Sequence, residues 1–158
     1  MQFGQLAGGL TDRGKQVADA FADAGIKIRK ADSLNEALWR KLCWNIPFNG
    51  LSIAAGGITT DLILSNPKLK QRAWDLMIEV QKVARAYGVE IEDAFLHRQF
   101  ELTEPMGPYK PSSLIDFLAG KPVEVEAIWG EPLRRGKALG VPMPETERLL
   151  GELRQATQ

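Results

Sequence analysis

Leu38-Trp39-Arg40-Lys41-Leu42-Cys43-Trp44-Asn45-Ile46-Pro47-Phe48-Asn49-Gly50-Leu51 sets an ammonium and two carboxamides among large apolar side chains. Residues four apart share a helix face, so Lys41, Asn45 and Asn49 form a polar line with Leu42, Trp44, Ile46 and Phe48 packing around it. Burial of such groups is costly unless each finds a partner. Pro47 sharpens the point, because its ring lacks an N–H and collides with the carbonyl of Cys43, which predicts a kink. Two readings follow from spacing alone: a kinked core helix with two structural asparagines, or a face that takes a ligand.

Outward from this run the chain reads as helices with clear punctuation. Ser33-Leu34-Asn35-Glu36 has capping-box spacing and opens the helix that carries Lys41, while Gly56-Gly57 and Thr59-Thr60 interrupt it. Asn66-Pro67 is a cap followed by proline at the first helical position. From there Leu69, Ala73, Leu76, Met77, Val80, Val83, Ala84 and Tyr87 recur at helical spacing up to Gly88. A further helix is predicted over 92–102, ended by the proline-rich loop 104–111. Ser112 is read as the N-cap of a helix over 113–119, terminated by Gly120. Residues 123–139 form a longer helix that bends at Gly130 and Pro132, and Pro144 opens a short amphipathic helix with Leu149, Leu150 and Leu153 on one side. The expected fold class is all-α, a multi-helix bundle over residues 31–158.

Residues 1–30 differ. Met1 to Leu10 is glycine-rich, with Phe3 and Leu6 placed in a short strand; Thr11-Asp12 starts a helix that Gly25 stops, and Ile26-Lys27-Ile28-Arg29 alternates as a half-buried strand. A helix with one or two strands cannot build its own sheet core, so this segment is expected to be the end of something longer.

Composition narrows the function classes. Twenty acidic and twenty basic residues cancel in a 158-residue chain, which gives no electrostatic footprint for nucleic acid. The single cysteine, Cys43, excludes an internal disulfide, and no Cys, His and carboxylate cluster has metal-ligand spacing. No apolar run approaches the roughly 20 residues needed to span a bilayer. A cytoplasmic protein without a metal, nucleic-acid or membrane partner is expected. His97 is read as a surface or half-buried structural residue, Cys43 as core packing, and the tryptophans Trp39, Trp44, Trp74 and Trp129 as buried in the core or an interface.

A second polar group lies far along the chain: Ser112 at a helix start, and Glu124 and Glu126 at the start of the next. A hydroxyl and free N–H groups at a helix N-terminus suit a carboxylate, and a glutamate beside Lys41 would hold its ammonium in place. Taken alone, these are also ordinary capping residues. Together with the first group their order and wording resemble the C-terminal helical domain of ketopantoate reductases (2-dehydropantoate 2-reductases), of the 6-phosphogluconate dehydrogenase C-terminal-like type. The resemblance runs through Leu38-Trp39-Arg40-Lys41-Leu42 with Asn45 and Asn49, Lys110-Pro111-Ser112-Ser113, and Asp116 to Ile128.

The resemblance implies a half-enzyme that reduces a 2-keto acid with NADPH in pantothenate biosynthesis. Lys41 corresponds to the family's catalytic lysine, Asn45 and Asn49 to residues that bond the substrate's hydroxyl and keto end, and Ser112 to the residue at its carboxylate. Glu124 corresponds to a catalytic glutamate that anchors the substrate hydroxyl or Lys41, and Glu126 is read as a surface residue. Residues 1–30 resemble the last strand, helix and strand of a Rossmann domain. The glycines at 4, 8, 9, 56 and 57 lack the G-x-G-x-x-G spacing of a dinucleotide site, so the chain alone is expected to be inactive. Thr59 or Thr60, and Tyr109, stand where family members often carry asparagine. Those departures leave open an oxidoreductase for another keto or hydroxy acid. A third expectation is a stand-alone helical module, homodimeric through the long apolar helix 67–87 or an exposed strand.

Overall fold

The computed structural model describes residues 2–3, 9–30 and 33–158, with backbone alone for 29–30 and 2–3. It divides into two compact units, Met1–Lys41 and Leu42–Gln158. In the first, β1 (Gln2–Phe3) and β2 (Arg29–Lys30) pair in parallel, with Gln2 opposite Arg29, and α1 (Asp12–Asp23) connects them. Thr11 Oγ1 accepts from Gly14 N at 3.2 Å and so caps α1. Gly25, at φ 80°, ends it in the left-handed conformation that a side chain resists. The predicted strand over 26–29 is displaced to 29–30, because Ile26 N turns back to Phe21 O at 3.0 Å and is consumed in the helix stop. Leu6 lies outside the described residues.

α2 (Leu34–Ala54) begins in the first unit and ends in the second. Ser33 Oγ accepts from Glu36 N at 3.4 Å, but the Glu36 carboxylate goes to Arg40 Nε at 2.7 Å, so only half of the capping box forms. α2 continues through the buried Pro47 as one helix. Its end comes at Gly56 and Gly57, with φ of 90° and 87°.

The second unit is helical throughout. α3 (Thr60–Ser65) leads into α4 (Pro67–Ala86), whose first turn is capped by Asn66 Oδ1 accepting from Lys68 N and Leu69 N at 3.0 and 3.3 Å. α5 (Asp93–Thr103) runs into a 3₁₀ turn, Glu104–Met106. α6 spans Ser112–Leu118, α7 Glu131–Ala138 and α8 Pro144–Ala156. α4 packs against α3, α7 and α8. The core joins Ile46, Phe48 and Leu51 of α2, Leu76, Met77 and Val80 of α4, Trp129, and Leu149 and Leu153 of α8, all fully buried. Each such aliphatic side chain is worth about 2 kcal/mol of hydrophobic transfer.

The helix predicted over 123–139 runs unbroken from 125 to 138 but changes register along its length. Its first full turn, Glu126–Gly130, is π-helical, and α7 follows directly. Pro132 has no N–H for the preceding turn, and the wider register appears just ahead of it, with Glu131 N reaching Glu126 O. Among the described residues no helix is long and apolar enough to cross a membrane.

Candidate functional site

α2 carries Lys41, Asn45 and Asn49 at helical spacing, and their environments differ sharply. Lys41 is exposed and closes the first unit, Asn45 is half-buried, and Asn49 is 1 % exposed. Asn49 Oδ1 accepts from the backbone N–H of Ser113 at 2.9 Å, which ties α2 to the first turn of α6. Ser112 is therefore not the cap. It is the first residue of α6, preceded by Pro111 in the cap position, and its exposed hydroxyl makes no hydrogen bond among the described residues. The Ser113 N–H, one of the orphan donors of the first turn, is met by Asn49 from 64 residues away.

Glu124 is exposed, with no ion pair or side-chain hydrogen bond among the described residues. It stands just before the helical segment rather than in its first turn, and its carbonyl accepts from Ile128 N at 3.0 Å. Glu126 points its exposed carboxylate at Arg154 and Arg134, at 2.6 and 2.9 Å. The hydrogen bond from Arg154, then that from Arg134, holds its carboxyl below the usual value. Glu126 thus fastens the π turn to α7 and α8 and leaves Glu124 as the unpaired carboxylate of the two.

Thr60 has a role that its place in the sequence did not reveal. Its N–H donates to Tyr109 O at 3.1 Å and its buried hydroxyl to Gly107 O at 3.0 Å, so it pins the loop that delivers Ser112. Aromatic rings continue the support: Trp44 meets Phe48 at 5.2 Å and Tyr109 at 6.2 Å, and Phe48 meets Phe100 at 5.8 Å. Trp44 Nε1 donates to Thr103 Oγ1 at 2.8 Å. His97 is exposed and lies tilted against Trp74, with ring centroids 4.6 Å apart.

Within the second unit the structure brings Asn49 onto the turn that carries Ser112; among the described residues, Asn45, Ser112 and Glu124 keep their side-chain polar atoms free. Two clefts of about 720 and 870 Å³ in this unit are lined by α3–α5 residues such as Trp74 and His97, and by Ile58, Leu62 and Leu69. Neither touches any of the five predicted site residues. Gly56 and Gly57 close a helix rather than open one after a strand, so they do not form a dinucleotide phosphate cradle. Among the described residues no group of three His, Cys, Asp or Glu is placed to hold a metal ion.

Residues 33–157 match the family described as ketopantoate reductase PanE/ApbA C terminal. A 2-dehydropantoate 2-reductase of Nostoc sp. is 37% identical over 92% of this chain and 46% of its own length. The crystal structure of 2-dehydropantoate 2-reductase from Methylococcus capsulatus superposes with a TM-score of 0.89 at 35% identity, over 98% of this chain and 53% of that one. That from Geobacter metallireducens gives 0.88 at 40% identity, over 93% and 49%. The chain spans about half the length of the curated relatives it matches. By the match over residues 33–157, it belongs to the ketopantoate reductase C-terminal family.

Proposed function

We propose that this chain is the substrate-binding and catalytic half of an NADPH-dependent 2-keto acid reductase that converts 2-dehydropantoate to pantoate in the cytoplasm. One observation carries the reading: among the described residues Asn45, Ser112 and Glu124 keep unpaired polar atoms, in the order and residue types that the resemblance assigns to substrate contacts. The relatives that are 2-dehydropantoate 2-reductases support the keto acid.

Reduction adds hydride to the keto carbon and a proton to its oxygen. The chemistry that NADPH supplies when bound is the hydride, and its binding is assigned to a nucleotide-binding half, since the described residues offer no phosphate-binding turn. This chain's residues handle the rest. The Lys41 ammonium stabilises negative charge developing on the keto oxygen and gives up a proton to it. Asn45 and Asn49 bond the substrate's hydroxyl and keto end, the Ser112 hydroxyl bonds its carboxylate, and Glu124 anchors the substrate hydroxyl. Homodimer formation belongs to the same reading, with the dimeric ketopantoate reductase of Staphylococcus aureus as its support.

NADPH oxidation with ketopantoate tests the reading directly. The chain alone is expected to show no turnover, and the chain supplied with a nucleotide-binding half to show it; turnover by the chain alone would overturn the division of labour. Thr59, Thr60 and Tyr109 favour a second reading, reduction of a different keto acid, which a comparison of kcat/KM across several keto acids decides.

A further inference from the structure

Trp129 is fully buried, and its indole N–H donates to Ile46 O at 2.9 Å across 83 residues of sequence. Two features make that bond possible. The π-helical turn Glu126–Gly130 holds the ring, and Gly50 lies beneath it: a Cβ there would meet Trp129 Nε1 and Leu149 Cδ2, each at 2.7 Å. One turn of α2 therefore receives two long-range donors, Trp129 Nε1–H at Ile46 and Ser113 N–H at Asn49, on either side of Pro47. Their sources are significant. Ser113 adjoins Ser112, and Trp129 stands in the turn that begins just after Glu124.

We infer that Trp129 is a positioning residue for the proposed substrate site: with the Asn49–Ser113 bond it clamps the Glu124 and Ser112 segments to the turn of α2 that follows Asn45. The inference rests on the proposed reading for its functional meaning. Trp129 touches no substrate; it acts through the Ile46 carbonyl and the register of the π turn. Asn49, whose oxygen already accepts from Ser113 N–H, keeps its NH2 group for an acceptor such as a carboxylate or keto oxygen.

The test uses the ¹⁵N-labelled 158-residue chain, its Trp129→Phe variant, which keeps a large ring and loses the donor, and Gly50→Ala, which displaces the indole from the other side. Ketopantoate is the probe, titrated well below the melting temperature of each variant. In the wild type the Trp129 indole proton exchanges slowly with solvent. In both variants the Glu124 backbone amide and the Asn45 side-chain amide are expected to shift, and ketopantoate to bind about five-fold more weakly, while the Ser113 amide stays protected. Variants with a lower melting temperature but unchanged Glu124 and Asn45 signals would overturn the inference and leave Trp129 as packing. A rapidly exchanging indole proton in the wild type would overturn it without any variant, which covers a Trp129→Phe chain that fails to fold. Absence of ketopantoate binding by the wild type would overturn the functional reading, whereas the clamp would still be decided by the Glu124 and Asn45 signals.

Discussion

Two sets of polar residues in the second unit are built to different ends. Where α4 meets α8, the buried Glu79 carboxylate accepts from Glu145 N and Thr146 N at 2.8 Å each and from the Thr146 hydroxyl at 2.7 Å, while Arg72 bonds Glu145 and Glu152 at 2.6 and 3.0 Å. Every group there has a partner within the chain, as buried polar groups require. Asn45, Ser112 and Glu124 show the opposite arrangement: their polar atoms are free among the described residues, while the backbone around them is fastened by Asn49, Thr60 and Trp129. A polar group that completes its own bonds stabilises the fold, and one held rigidly without a partner is available to a ligand.

This contrast can be overturned from either side. The largest expected effect is on Lys41, the proposed proton donor, which lies outside both sets. In an enzyme completed by a nucleotide-binding half, Lys41→Ala lowers kcat by about 10²–10⁴-fold, the usual contribution of a positioned general acid. A near-normal steady-state rate would remove Lys41 from the proton-donor role. Next comes the closed set: Glu79→Ala leaves the first-turn N–H groups of α8 without their acceptor, and urea unfolding should show a loss of about 3 kcal/mol. A loss below about 1 kcal/mol would mean that water or a neighbour replaces the carboxylate.

Those two residues also show how far the sequence could be read. The place of Lys41 on α2 was legible because its helix is local: spacing alone sets it one and two turns before Asn45 and Asn49. The same holds for α4, whose cap, apolar stripe and terminal glycine all lie within its own segment. Glu79 was not legible, since its partners are 66 and 67 residues away and nothing in α4 announces an acceptor for α8. The Ser112 cap failed because the helix starts one residue earlier, with Pro111 in the cap position and the Ser113 N–H of its first turn met by a carboxamide 64 residues away. The π turn before Pro132 was half legible: the proline predicted a disturbance, but a bend and a widened register answer the same missing N–H.

Smaller effects define the boundary between the sets. Thr60→Val removes the hydroxyl that holds Gly107 O and should cost about 1 kcal/mol in stability while raising KM for the keto acid, because the loop before Ser112 loosens. Unchanged KM would place Thr60 wholly in the closed set. Glu126 gives a pH signature. Its carboxyl is lowered in the folded chain from the ordinary 4.5 by Arg154 and Arg134. Its contribution is therefore complete above pH 4.5 and lost as pH falls through the lowered folded value. Melting temperatures of the wild type and Glu126→Gln should differ at pH 7 and converge in acid; a difference that persists at low pH would contradict the ion-pair origin.

Whether the open set takes a keto acid is decided by one titration. Ketopantoate added to the ¹⁵N-labelled chain should shift the side-chain amides of Asn45 and Asn49 and the backbone amide of Ser112 together, with a single saturating dependence on concentration. Shifts confined to the Trp74–His97 cleft, or none at saturating ketopantoate, would contradict it.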